Sequence, residues 1–121
     1  MKKFLPFIAL VIALSGCSKK SSELHDAMES MKEPFKVMRE ASDINQVRAE
    51  LANFLQGVNI AKVQQVKPEH QGTFDEGMKK LVDLTAQVEA ALAADNLEEA
   101  KVLLKKMGEV RKEYHDKLGV K

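Results

Sequence analysis

The chain has 121 residues, 19 of them basic and 18 acidic, for a formal charge of +1, with a single cysteine and no tryptophan. That length holds one domain with a modest core, and the near-neutral balance argues against nucleic acid as a partner. One cysteine allows no internal disulfide, so stability has to come from packing.

The first segment is set aside from the fold. Lys2 and Lys3 precede an apolar run from Phe4 to Leu14 and a small-residue stretch, as in an export signal, and the run is too short to span a bilayer as a helix. Leu14, Ser15, Gly16 and Cys17 follow it and resemble the lipobox of bacterial lipoproteins. That resemblance implies removal of residues 1–16 and a diacylglycerol on Cys17, placing the mature protein on a periplasmic membrane face. Ser18 resembles the outer-membrane sorting pattern more than the inner-membrane one. Residues 17–22, with Lys19 and Lys20, read as a polar tether near lipid headgroups. The domain is expected over residues 23–121, and without Lys2 and Lys3 the mature chain from Cys17 has a formal charge of about −1.

Four amphipathic segments follow, with no period-two alternation of a half-buried strand. In the first, Leu24, Met28, Met31, Phe35 and Met38 are spaced four, three, four and three apart, which puts them on one face. Pro34 interrupts it, so a kink or break is expected near Glu33. The second carries Ile44, Val47, Leu51, Phe54, Leu55 and Val58, with Ser42 and Asp43 supplying its N-cap. The third is expected to begin at Thr73, which has capping-box spacing to Glu76, and to run through Phe74, Leu81, Leu84, Val88 and Leu92. The fourth is expected to open on a second box, Asp95 with Glu98, and to pass through Leu97, Leu104, Met107, Arg111, His115 and Leu118 to Gly119. Short connections predict an all-α, antiparallel up-down-up-down four-helix bundle.

That topology brings the start of the first helix and the end of the fourth to one end of the bundle, and with them Met28 and His115. A thioether and an imidazole there are an axial pair for haem iron. Three glycines, Gly57, Gly77 and Gly108, fall within predicted helices, where each costs about 1 kcal/mol against alanine. All three map to the same half of the bundle, and Gly108, Arg111 and His115 share a face. Missing side chains there would leave room for a flat macrocycle; close helix packing is the alternative.

The stretch Leu24-His25-Asp26-Ala27-Met28-Glu29-Ser30-Met31 with Phe35-Lys36-Val37 closely resembles the opening of the cytochrome b562 family. Phe74-Asp75-Glu76-Gly77-Met78 with Leu81-Val82 matches its middle, and Arg111-Lys112-Glu113-Tyr114-His115 its close; together the likeness covers roughly residues 22 to 118. It implies a non-covalently held haem b with Met28 and His115 as axial ligands, Phe74 packed near the ring and Arg111 beside its edge. Gly77 and Gly108 complete the expected pocket. The chain departs from the family in a shorter connection between helices two and three, about Lys67 to Gly72, in Met78 where an aromatic residue is expected, and in Pro34.

No Cys-x-x-Cys-His exists, which excludes covalent haem attachment, and no Glu-x-x-His pair or His-Glu-x-x-His motif points to a di-iron or zinc site. His25, one turn before Met28, is an alternative ligand. His70 is expected in a loop, and Lys101, Lys105 and Lys106 with Glu98 and Glu99 on a solvated face. The expected function is a lipid-anchored, monomeric one-electron carrier serving redox partner proteins, and not an enzyme, since no nucleophile, acid-base pair or open metal site is present. The alternative is a haem-free lipoprotein bundle acting as an adaptor or chaperone-like binder.

Overall fold

The computed structural model describes residues 23–120, so the signal segment, Cys17 and the tether lie outside the described residues. Four helices make up this part: α1 (residues 23–40), α2 (Ile44–Ala61), α3 (Pro68–Ala93) and α4 (Leu97–Leu118). They form the expected all-α bundle, and no strand occurs among the described residues. Met38, Val47, Val58, Val88, Leu104 and Met107 are fully buried along its axis. They are the members of the predicted apolar stripes, now packed on one another. Thr85, the buried polar side chain, gives its hydroxyl to the Leu81 carbonyl at 2.7 Å.

Contacts between helices fix the antiparallel arrangement. Gly57, late in α2, faces Ala27, Ser30 and Met31, early in α1, while Gly77, early in α3, faces Tyr114, late in α4. At the opposite end, Lys101 of α4 donates from Nζ to the carbonyls of Met38 (3.2 Å), Ala41 (2.6 Å) and Arg39, where α1 stops. The solvated-face expectation is therefore corrected for Lys101: its half-buried ammonium satisfies carbonyls that a helix C-terminus leaves without partners.

Helix α1 continues unbroken through the buried Pro34, contrary to the expected interruption near Glu33. A mid-helix proline costs about 3 kcal/mol, but Met31 and Met38 on either side are both buried, and that packing offsets the loss. Asp43 caps α2 as expected, accepting from the Asn45 N–H at 3.0 Å.

Two helix starts differ from the sequence expectation. Helix α3 begins at Pro68 rather than Thr73, because proline at the first helical position is already set for helix and Lys67 before it is extended (φ −57°, ψ 143°). The Gln71 side chain strengthens this start, accepting from the Val66 N–H at 2.8 Å and donating to Asp75 Oδ1 at 2.9 Å. Thr73 and Glu76 thus lie inside the helix, and the connection between α2 and α3 is residues 62–67 instead of Lys67 to Gly72. Asn96, not Asp95, caps α4, its side chain accepting from the Glu99 N–H at 3.0 Å. Asp95 is taken by the end of α3: it sits in the left-handed region at φ 54°, and the Asn96 N–H turns back to the Ala91 carbonyl at 2.8 Å. Its carboxylate meets Arg48 at 2.6 Å. Gly119 ends α4 at φ 71°, as the sequence predicts.

Candidate functional site

From the end of the bundle where α1 and α3 begin and α4 ends, an open cavity of about 1060 Å³ runs along α1 as far as Glu40. A pocket of that size accepts a ligand as large as a cofactor. Its walls come mainly from α1, α3 and α4; α2 contributes Phe54, and the α2–α3 connection contributes Gln65, Val66 and Lys67. The short connection therefore borders the opening.

Met28 and His115 both line this cavity, one from each end of the chain. Of the three methionines on the α1 stripe, Met31 and Met38 are buried in the core, whereas Met28 is only partly buried. Met31 also lines the cavity, so Met28 differs from it in being the more exposed of the two. His115 is partly buried as well, and burial pushes its imidazole below the ordinary histidine range. The nearby Arg111 and, less strongly, Lys32 push it the same way, against Asp116. These effects favour the neutral ring, the form whose free nitrogen can bind a metal.

Phe74, Gly77 and Arg111 line the same cavity, from α3 and α4. Phe74 is buried and places an aromatic face on the α3 wall, and Arg111 is exposed at the rim. Met78, in the position where an aromatic residue is expected, is buried and also faces the cavity. Gly108 does not line it. A Cβ there would meet Arg39 Nη1 at 3.3 Å and the Phe35 ring at 3.7 Å, so this glycine admits α1 side chains to the α4 surface. Gly57 likewise accommodates Met31, and Gly77 accommodates Tyr114. The expectation that the helical glycines vacate space for a macrocycle is corrected accordingly: each marks a close approach of two helices, and only Gly77 also borders the cavity.

His70 is not in a loop. It lies in the first turn of α3, partly buried, one turn before Phe74, and lines the cavity, as does the exposed His25. Among the described residues no group of three or more histidine, cysteine or acidic side chains is arranged to hold a metal ion, and the soft donors that line the cavity are methionine thioethers and imidazoles.

Two contributors escaped the sequence reading. Phe35 stands on the Met28 stripe and lines the cavity, its ring tilted 33° against that of Phe54 at 5.8 Å and covered by Arg39 at 5.7 Å; the stripe itself was the signal. Tyr114, adjacent to His115, is buried against Gly77 and donates its hydroxyl to Glu76 at 3.0 Å. No periodic pattern marks that contact, because the two residues come from different helices.

The sequence model of the family described as cytochrome b562 matches residues 23–118, which is the whole bundle. A search of curated proteins finds no match.

Proposed function

Because the chain belongs to the cytochrome b562 family, we propose that it is a one-electron carrier holding a non-covalent haem b between Met28 and His115. The observation that carries this reading is the shared cavity: a thioether and an imidazole whose neutral form is favoured line one largely apolar space of about 1060 Å³. Such a donor set suits the group, since haem iron accepts a soft sulfur opposite a nitrogen. Bound haem supplies an iron that alternates between the ferric and ferrous states.

The chain's own residues set how that capacity is used. Met28 and His115 would hold the iron, and with sulfur and imidazole both engaged the group would favour electron transfer over oxygen chemistry. Phe74, Met78 and Leu81 line the α3 wall of the cavity and keep water from the ring. Arg111 at the rim offers a cation to the acidic edge of the group. The resemblance of the segment before the bundle to a lipoprotein signal supports a periplasmic protein anchored through Cys17, in the outer membrane, and serving redox partner proteins.

An absorption spectrum of the chain mixed with haem tests the assignment. A sharp Soret band and split low-spin visible bands on reduction are expected, and are lost in Met28→Ala and in His115→Ala. A Met28→Ala spectrum identical to the parent's would reject the sulfur ligand and point to His25. Absence of any haem complex would favour the haem-free adaptor.

A further inference from the structure

On the flank where α3 meets α4, next to the cavity, several side chains close around the Tyr114 ring. Its hydroxyl donates to Glu76 Oε1 at 3.0 Å although Glu76 is itself an exposed residue. The ring lies directly on Gly77, where an added Cβ would stand 2.8 Å from Cγ and Cδ2. The ammonium groups of Lys80 and Lys117 lie over the ring, 5.1 and 4.6 Å from its centroid, and Lys117 is held by Glu113 at 3.0 Å. One aromatic side chain of α4 is thus tied to α3 by a hydrogen bond, a backbone contact and a cation.

The tie bears on the next residue. Successive positions on a helix are about 100° apart around its axis, so any rotation of α4 that carries Tyr114 off Gly77 swings His115 through the same angle. Contact with Gly77 limits rotation in one sense only, as a ring can slide outward from a flat surface. The hydroxyl bond to Glu76 opposes that slide, and a bond to a carboxylate is stronger than one between neutral groups.

We propose that Glu76 is a positioning residue for the His115 imidazole, acting through Tyr114. This rests on the axial role assigned to His115. The variants Glu76→Ala, Glu76→Gln and Tyr114→Phe separate it from a purely structural contribution: alanine and phenylalanine remove the bond, while glutamine keeps an acceptor oxygen. Carbon relaxation at the His115 ring in the haem-free chain reads its order without any cofactor. Haem-methyl shifts in the ferric complex report the orientation of the imidazole plane, and haem release reports the strength of its hold.

Glu76→Ala and Tyr114→Phe should lower the ring order, change the methyl-shift pattern and release haem about ten-fold faster, the size expected for one charged hydrogen bond. Glu76→Gln, which keeps a weaker neutral bond, should fall between the parent and the alanine variant in all three. Parent-like ring order and methyl shifts in both bond-deleting variants would overturn the proposal, as would a glutamine variant as perturbed as the alanine one. Should Tyr114→Phe fail to fold, the two substitutions at exposed Glu76 decide alone. A parent complex without methionine-histidine bands would end the haem ligand assignment, and the ring-order comparison in the haem-free chain would still decide the positioning.

Discussion

Met28 of α1 and His115 of α4 open onto one cavity although they stand near the two ends of the bundle sequence. Only antiparallel packing of the intervening helices brings them together, and the cavity they share is walled on α3 by Phe74 and Met78.

Acid should weaken the haem-free chain through His115. Burial and Arg111 depress the imidazole in the folded state, whereas the unfolded chain titrates near the ordinary value of about 6.5. Above that pH the group adds no pH dependence; as pH falls below it, the unfolded state takes up the proton first and stability drops. Urea midpoints between pH 7 and pH 5 should therefore fall further for the parent than for His115→Gln. Arg111→Gln should show an intermediate slope, and a His115→Gln slope equal to the parent's would reject the assignment.

Gly57→Ala should destabilise the fold despite alanine's higher helix propensity. Propensity favours the change by about 1 kcal/mol, but the new Cβ would stand 2.5 Å from Met31 Cγ and 3.0 Å from the Ala27 carbonyl oxygen. The side chain can yield and the backbone cannot. Overpacking of this kind costs about 1–3 kcal/mol, so a net loss is expected in denaturant unfolding, and a raised midpoint would contradict it.

Lys101→Met should cost more than any other lysine replacement on α4. It leaves three carbonyls at the end of α1 without their donor, for a loss of about 1–3 kcal/mol. Lys105→Ala, at an exposed position, should stay within about 0.5 kcal/mol of the parent. Thermal unfolding of the pair checks the contrast; equal melting temperatures would count against the capping role.

Haem should raise the melting temperature in proportion to the logarithm of its free concentration. A ligand that binds only the folded state adds about 2.7 kcal/mol at a hundred times its dissociation constant. Removing haem should reverse the gain, and Met28→Ala with His115→Ala should abolish it. Calorimetry at several haem concentrations measures this, and a melting temperature independent of haem would contradict specific binding.

What the sequence determined by itself was the number of helices, their buried faces and the end of the molecule to which Met28 and His115 belong. The helices and their faces follow from repeats of three and four residues, which are local and survive whatever the helix packs against, and the shared end follows from the short connections between them. Helix starts were less legible: Pro68 and Asn96 displaced Thr73 and Asp95, since several residues had capping chemistry and the neighbouring turn chose among them. Asp95, for example, was needed to close α3 and to meet Arg48 from another helix.

Tertiary structure alone decided what the helical glycines are for, where Lys101 sends its ammonium and how Tyr114 is tied to Glu76. A glycine in a sequence announces a missing side chain without saying whether a ring or a neighbouring helix takes the space. At Gly57, Gly77 and Gly108 the neighbour took it. That outcome depends on the rotation and axial offset of one helix against the next, quantities set by all the packed side chains together and by no single stretch of chain.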